Sequence, residues 1–584
     1  MSISNAAYLM NRIRLPLFLL LLVPVVAWGA LAVEVRVEGI DGVLHDNVMQ
    51  RLTLATEREH PLLEVYRLRR LHQRATGEIR EALRPFGYYK AEVQADLTER
   101  DGGWLAQYRV TPGPPVRVRE LILDVEGAAA ADPAFAAWRE AFPLRVGGVL
   151  EHGPYERAKR ELLQLARDRG YFGAQLLRQA LEVTLADDSA RVVLHLASGP
   201  RHAFGPIHFD AVGLNEELLR RYLTFASGEP YDAERLFDLQ RGLADSDYFE
   251  FIEVRAEPET AVAGQVPVEV RLRLKPDNRY TFGLGYGTDT GPRISVGMER
   301  RRVNRDGHRF TVETTISEVQ SGIRGVYRIP LSHPTTDFLS FTSGWEREDL
   351  DTSTRETITV GAGFTLMLAR WQRTLALTVH NESYAVADQE DTTTLVLPSA
   401  SWLRVEADDR LFPTRGWRLG AELRGASETL GSDASLLQGI LRAKAVVPLA
   451  GGRLITRVDL GGSQTPDFER IPASLRFFAG GDNSIRGYAY KSLGPTNAAG
   501  EVLGGRHLLV MSAEYEYYFG PRFGSAVFYD VGNAFDDDDF VLMRGAGLGL
   551  RWRLPFGALR LDVASPVHEA RPEWRLHITV GPDL

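Results

Sequence analysis

The chain has 584 residues, enough for several domains, and carries a formal net charge of −9 with 25% charged residues. Nucleic-acid binding requires a basic surface, so this balance argues against a nucleic-acid partner. The sequence contains no cysteine, which excludes a disulfide framework and thiol chemistry.

The N-terminus predicts a signal peptide. Arg12 and Arg14 precede an apolar run at Leu15–Val26, and the small residues Ala30 and Ala32 follow it. The run is too short to span a bilayer as a helix, whereas this order of basic, apolar and small residues is typical of secretory signals. We therefore expect residues 1–32 to be removed on export, with a membrane anchor as the alternative.

A threefold repeat follows. Each copy has an opening strand, an amphipathic helix, an aromatic turn and two more strands, and the turns contain Tyr88, Tyr171 and Tyr248. The predicted helices are Ile79–Phe86, Tyr155–Arg169 and Ala233–Ala244. The predicted strands are Val33–Glu38, Ala91–Thr98, Trp104–Thr111, Val116–Val125, Leu181–Ala186, Arg191–Ala197, Phe204–Phe209, Ile252–Glu257 and Val266–Leu274.

These copies predict three small α+β domains at 33–114, 115–200 and 201–276, each a short sheet under two helices. We expect the turn tyrosines to pack the corners between helix and strand. Small open sheets have edge strands that can receive an extended peptide through main-chain hydrogen bonds. The equal alternative is that Arg191, Arg271 and Arg273 blunt those edges with charge.

From Tyr280 the pattern changes to a period of two residues, typical of strands. Around Phe282 apolar residues alternate with glycine, and similar alternation continues to the C-terminal segment. We count about 16 candidate strands over Asn278–Leu584, an even number as in single-chain bacterial barrels. Interleaved charges such as Arg551, Arg553, Arg560 and Asp562 exclude a packed sandwich but fit a wet lumen. Residues 277–584 are therefore predicted to form an all-β, 16-stranded antiparallel transmembrane barrel.

One long segment, Ser463–Arg506, lacks this alternation. Its centre, Arg476–Pro495, reads RFFAGGDNSIRGYAYKSLGP. Loops of this length are functional or disordered, and the aromatic residues argue against disorder. We therefore predict a long loop that folds inward into the barrel and is held there by Arg486.

The two strands after this loop supply carboxylates for Arg486. By alternation, Glu514 on one strand and Phe528 and Asp530 on the next face the lumen. A guanidinium can bond carboxylates bidentately, which fixes its direction. The alternative is that these are unrelated charges in a wet pore.

Two glycines complete this predicted loop-to-barrel lock. Gly487 lets the loop backbone pass close to the wall or adopt a positive φ, and Gly532 leaves room beside Asp530. The residues assigned to the lock are Arg486, Gly487, Tyr488, Glu514, Phe528, Asp530 and Gly532.

These motifs resemble those of a known family. Ile485-Arg486-Gly487-Tyr488 resembles the [VI]RG[FY] loop motif of BamA-type outer-membrane assembly proteins, and Phe528-x-Asp530-x-Gly532 resembles their FxDxG strand motif. Glu514 matches their inward glutamate, and the three repeats are similar to periplasmic POTRA domains. Three POTRA domains before such a barrel are most similar to the TamA subfamily.

This resemblance implies a function. It implies a protein of the Gram-negative outer membrane that inserts or secretes client outer-membrane proteins of the autotransporter type. It also implies a TamB-like inner-membrane-anchored partner bound by the POTRA domains, and clients that enter the lipid bilayer through a lateral seam between the first and last strands. The alternative is a two-partner-secretion exporter or a passive pore, in which substrate passes through the lumen.

The two strands at this seam carry signals of weak pairing. The first strand, Thr281–Gly287, reads as short and half glycine, and the last ends at a proline that has no N–H for a ladder. We expect few hydrogen bonds across the seam. The residues assigned to it are Phe282, Gly283, Gly285, Gly287, Gly581 and Pro582.

No catalytic motif is apparent. The sequence lacks HExxH, GxSxG and GxxxxGK[ST], so we expect no enzymatic activity and no cofactor. The acidic run Asp536–Asp539 lacks the ligand spacing of a calcium loop, and we expect a solvated loop tip rather than a metal site.

Overall fold

A computed structural model describes residues 31–60, 63–100, 102–287, 291–350, 353–409, 411–537, 540–555, 557–567 and 573–581. All but the last two residues of the expected signal peptide, and Pro582 of the expected seam, lie outside these ranges. The chain divides into two compact units, one ending at His202 and one beginning at Ala203.

The first unit contains two three-stranded sheets, each with its helices. The first has β1 (Val33–Glu38), α1 (Gly42–Arg51), α2 (Thr53–Glu57), α3 (Val65–Leu83), β2 (Glu92–Arg100) and β3 (Gly103–Thr111). The second has β4 (Arg117–Glu126), α4 (Pro133–Ala141), α5 (His152–Asp168), β5 (Gln175–Thr184) and β6 (Ser189–Ala197). The spacing of the apolar residues explains the packing: on α5, Ala158, Leu162 and Ala166 recur at four-residue intervals and are buried in the core.

The second unit begins with a third such sheet. Its elements are β7 (Ala203–Phe209), α6 (Glu216–Arg220), α7 (Ala233–Asp245), β8 (Phe249–Ala256) and β9 (Gln265–Leu274). Asp247, in the turn after α7, accepts a hydrogen bond from Arg301 at the foot of the barrel at 2.9 Å and also pairs with Lys275. Tyr248 donates to the carbonyl of Gly307, so the third domain is bonded directly to the first turn on that side of the barrel.

In all three sheets the strand that comes last in sequence lies in the middle. It runs parallel to the opening strand and antiparallel to the other, in the orders β1-β3-β2, β4-β6-β5 and β7-β9-β8. The expectation that Arg191, Arg271 and Arg273 blunt the edges is therefore wrong, because β6 and β9 are central strands.

Another prediction fails in the second sheet, where β5 begins at Gln175 rather than Leu181. A register shift between Leu176 and Arg178 reverses the facing of the side chains and breaks the alternation.

The remaining sixteen strands form one sheet in which every strand pairs antiparallel with its neighbours in sequence. They are β10 (Asn278–Gly287), β11 (Gly291–Arg300), β12 (Arg309–Ser317), β13 (Gln320–Pro330), β14 (Phe338–Leu350), β15 (Ser353–Leu368), β16 (Trp371–Val386), β17 (Gln389–Ala407), β18 (Gly416–Ala426), β19 (Leu436–Leu449), β20 (Gly452–Gln464), β21 (His507–Tyr518), β22 (Phe523–Phe535), β23 (Met543–Leu554), β24 (Gly557–Pro566) and β25 (Arg575–Gly581). This sheet is the predicted 16-stranded antiparallel barrel, and the structure shows it to be nearly closed.

The two faces of the barrel differ as the alternation predicts. On β22, Val527 and Tyr529 are exposed on the outside, whereas Phe528 and Asp530 between them are buried on the inside. None of the helices in the described ranges is both long and apolar enough to cross a bilayer.

The barrel is interrupted at one place. In the described part of the chain, β10 and β25 share no hydrogen-bonded ladder, although their Cα atoms approach within 8 Å. The first strand is not short, however: it begins at Asn278 and has 10 residues. Over the described residues β25 has 7, fewer than any other strand of the sheet. The polar start of β10 was missed because the inward Arg279 is paired with Glu299 of β11.

Candidate functional site: an inturned loop anchored to the barrel wall

The segment 465–506 between β20 and β21, here called the inturned loop, packs against the inside of the barrel. Ile485 and Tyr488 are buried and form a small apolar cluster with Ala479, Leu493 and the wall residue Val510. These aromatic and aliphatic residues of the loop are therefore packed away from solvent, against one another and against the wall.

Arg486 is the centre of a buried ion cluster. Its Nε and Nη2 donate to the two carboxylate oxygens of Asp530 at 2.8 and 3.0 Å, and its Nη1 donates to Glu514 at 2.6 Å and to Asp562 at 3.0 Å. The guanidinium carbon lies 3.4 Å from the centre of the Phe528 ring. These contacts join the loop to β21, β22 and β24 through charge-assisted hydrogen bonds and a cation–π contact.

Arg551 is a second guanidinium in the cluster that the sequence analysis did not assign to it. It lies on β23, is fully buried, and donates to Glu514 at 2.5 Å, Asp562 at 2.5 Å and Glu516 at 2.7 Å. The expectation that Arg551 and Asp562 face a wet lumen is therefore wrong. Desolvated carboxylates need such partners, because burying an unpaired charge costs several kcal/mol, roughly 3–5 when one partner is removed.

The ion pairs continue beyond this cluster toward the opposite end of the barrel. Arg453, at the start of β20, donates to Glu516 at 2.7 Å and to the carbonyl of Pro413 at 2.7 Å. Pro413 lies in the turn between β17 and β18. A chain of alternating charges therefore runs from the inturned loop, through Glu514, Arg551 and Glu516, to a turn at the far rim.

Three glycines on the inner face of β23 make the space for this cluster. A Cβ on Gly545 would lie 1.9 Å from the carbonyl oxygen of Arg486, and one on Gly549 would lie 1.9 Å from Asp562 Oδ1. A Cβ on Gly547 would meet the Phe528 ring at 2.4 Å. The sequence does show glycine at alternate positions of this strand, which indicates space on one face, but the alternation does not indicate which side chains occupy that space.

The two glycines of the predicted lock have different surroundings. Gly487 has a φ of +99°, and its Cβ would lie 2.9 Å from the Ser565 backbone, so the loop does pass directly against the wall. Gly532 has a φ of +154°, and its Cβ would lie 2.0 Å from the carbonyl oxygen of Leu509. It therefore makes room for the neighbouring strand β21 rather than beside Asp530.

The loop is also held on the opposite wall. Lys491 Nζ donates to both oxygens of Glu348 on β14, at 3.0 and 2.8 Å, and the Ser474 N–H donates to Glu382 on β16 at 3.0 Å. Because β14 and β16 are eight and six positions from β22 in a sheet of sixteen strands, these anchors lie across the lumen from Asp530. The inturned loop therefore bridges the barrel.

The expected seam residues lie away from this cluster. Phe282 is exposed on the outer face of β10, and Gly283, Gly285 and Gly287 are register partners of Ser295, Arg293 and Gly291 on β11. Gly581 is the last residue of β25. A Cβ on Gly283 would lie 2.3 Å from Ser295 Oγ, so this glycine accommodates a neighbour on the inner face.

Among the described residues, no group of three or more histidine or acidic side chains could hold a metal ion. Of the acidic run, Asp536 accepts a hydrogen bond from the Arg506 N–H at 2.9 Å and Asp537 pairs with His507 at 2.7 Å. Positions 538 and 539 lie outside the described ranges.

Comparisons with known proteins agree with this architecture. A model of the Omp85 superfamily domain matches residues 269–581, and a model described as POTRA domain TamA domain 1 matches residues 34–112. The chain is 22% identical over 380 residues to the outer membrane protein assembly factor BamA of Nitratidesulfovibrio vulgaris, covering 61% of this chain and 47% of that protein. It is also 22% identical over 432 residues to BamA of Neisseria meningitidis serogroup B, covering 65% and 52%.

A solved structure shares the fold. The crystal structure of BamA from Haemophilus ducreyi lacking POTRA domains 1–3 superposes with a TM-score of 0.67 at 17% identity, covering 80% of this chain and 99% of that one.

Because the superfamily model matches more than half of its length, the chain belongs to the Omp85 superfamily. It is a β-barrel of the Gram-negative outer membrane with POTRA domains in the periplasm. The chain spans about half the length of the BamA relatives it matches, 47% and 52% for the two named above.

Proposed function

We propose that this protein assembles or secretes client outer-membrane proteins of the autotransporter type through the seam between β10 and β25. The observation that carries the proposal is the absence of a ladder between these two strands in the described residues. An unpaired strand edge is a template for another strand, and a client could pair there while its apolar face meets lipid. Similarity to proteins named outer membrane protein assembly factor supports this class of function.

The position of the inturned loop supports a route for the client through the barrel wall rather than through the lumen. It bridges the barrel between Asp530 and Glu348, so a polypeptide in the lumen would have to displace a charged, buried cluster. The alternative, an exporter or passive pore, is favoured by a polar cavity of about 510 Å³ along the inner face of β11–β16. Single-channel conductance separates the two, because a steadily open wide pore would support the alternative.

The POTRA domains would bind a partner, for which a TamB-like inner-membrane-anchored protein is our candidate. The match of residues 34–112 to a TamA-type POTRA domain supports this choice. Edge geometry favours the first domain: the pairings of β1 and β2 are regular, whereas the pairings of β4, β5, β7 and β8 each contain a register shift. Such irregularities protect sheet edges, so the regular edges offer the better surface for an added strand.

No enzymatic step or cofactor is part of this proposal. The free energy for insertion would come from the folding of the client and the burial of its apolar surface in the bilayer.

Crosslinking the seam tests the proposal, and a chain without cysteine suits it. Single cysteines at positions 281–286 would be screened against single cysteines at 576–580, and the pair that oxidises efficiently would be kept. We expect client insertion to stop when this pair is oxidised and to resume on reduction. The control is Ser295→Cys with Thr315→Cys, which links register partners across the intact β11–β12 ladder. Insertion at full rate with the seam crosslinked would rule out lateral opening.

A further inference from the structure

The inturned loop is bonded to the last strand as well as to the carboxylates. The backbone N–H of Gly487 donates to Nε2 of His577 on β25 at 3.0 Å, and Nδ1 of the same ring lies 2.5 Å from Asp482 Oδ1. His577 is 3% exposed, and the Asp482 side chain is 7% exposed. Both bonds are therefore shielded from water.

The chemistry of these two contacts fixes the state of the ring. A backbone N–H can only donate, so Nε2 of His577 must be the acceptor and must carry no proton. The ring proton then lies on Nδ1 and is donated to Asp482. Two residues of one loop thus hold a single tautomer of His577 in a single orientation.

The position of His577 gives these bonds their importance. It lies on β25, which in the described residues has 7 residues and a ladder to β24 alone. Its register partner on β24 is Asp562, which accepts a hydrogen bond from Arg486. Arg486 and Gly487, consecutive residues of the loop, therefore bond to the adjacent strands β24 and β25. The loop also lies against the backbone of β24 at Ser565.

We propose that Asp482 and His577 form a latch through which the inturned loop holds β25 and sets how readily the seam opens. His577 is a positioning residue in this role. The importance of the latch for client insertion rests on the proposed function, whereas its effect on the seam does not.

Distance measurement across the seam tests the latch without any client. Spin labels on Phe282→Cys and Leu576→Cys, both exposed outward, report the separation of β10 and β25 in the full-length protein in lipid vesicles. Asp482→Ala removes one of the two bonds and is expected to increase the population at long distance about threefold to tenfold, the range for one lost hydrogen bond. His577→Ala removes both bonds and should have an effect at least as large. Asp482→Asn keeps an acceptor for Nδ1–H and should restore the native distribution.

Controls separate a latch from general destabilisation. Thr579→Ala changes the next inward position of the same strand and should leave the distances unchanged. Because His577 makes both bonds, the double variant should not exceed His577→Ala alone. Folding is checked by the shift in gel migration on heating, and if His577→Ala fails to fold, Asp482→Ala carries the test.

Unchanged distances in a folded Asp482→Ala variant would overturn the latch. Additive effects of the two substitutions would do so as well. A seam that opens more often while client insertion stays the same would support the latch and count against the proposed function.

Discussion

The inturned loop has two anchors on opposite walls of the barrel, and they are built differently. At the Asp530 wall, the loop supplies a guanidinium that carboxylates of three strands share. At the Glu348 wall, the strand residue Arg355 already donates to Glu348 at 2.8 Å, and the loop adds the Lys491 ammonium. Asp530 therefore takes its cationic partner from the loop, whereas Glu348 keeps a strand cation, Arg355, without the loop.

The largest effect should follow from removing the charge at the first anchor. Arg486→Ala leaves Asp530 buried without a cationic partner, and we expect a loss of roughly 3–5 kcal/mol, seen as protease cleavage within 465–506 and a lower unfolding temperature. Adding Asp530→Asn should recover part of the loss, because it removes the unpaired charge. Native protease resistance in Arg486→Ala would contradict the central role of this anchor.

Filling the space beside the loop should have the next largest effect. Gly545→Ala places a Cβ 1.9 Å from the Arg486 carbonyl oxygen, and overpacking of this kind costs about 1–3 kcal/mol. The matched control is Gly439→Ala on β19, where a Cβ meets nothing within 4 Å. The readout is again proteolysis of the loop. Equal sensitivity of the two variants would show that close contact at Gly545 is unimportant.

Removing the charge at the second anchor should matter less. Lys491→Ala removes the Lys491 hydrogen bonds but leaves Glu348 with Arg355, so we expect a loss on the order of 1 kcal/mol and little cleavage of the loop. The same assays apply. A loss as large as that of Arg486→Ala would abolish the distinction between the walls.

Asp247 belongs to an ion cluster in the third POTRA domain, outside the membrane, and the pKa of this residue predicts how the stability of the domain depends on pH. Burial raises the pKa of Asp247, but hydrogen bonds from Lys275 and Arg301 outweigh it and lower the pKa to about 2. Its stabilising effect is therefore fully present above the unfolded pKa, roughly 3.9, and is lost as the pH falls toward 2. We expect Asp247→Asn to remove a small part of the acid sensitivity of the third POTRA domain, measured by hydrogen exchange at α7. An unchanged profile would contradict this assignment.

Local and long-range features of the barrel differ in how well the sequence predicts them. Period-two alternation is local, so it predicted the barrel and the inward facing of Glu514 and Asp530. The third carboxylate partner of Arg486, Asp562, was harder to predict, because it is 76 residues away and only strand pairing brings it close. Arg551 was read as a solvated charge because alternation gives the face of a residue but not its exposure. The second anchor was missed because nothing in the local pattern links Lys491 to Glu348, 143 residues earlier.

The first anchor has a consequence for the order of assembly. Among the described residues, the strands that bond to Arg486 or Gly487 or lie directly against them, β21 to β25, all follow the loop in the chain. The surface that receives Arg486 does not exist until these C-terminal strands have paired. Docking of the first anchor is therefore a late event in the folding of the protein, whereas the partners of Lys491 and Ser474 lie on β14 and β16, which precede the loop.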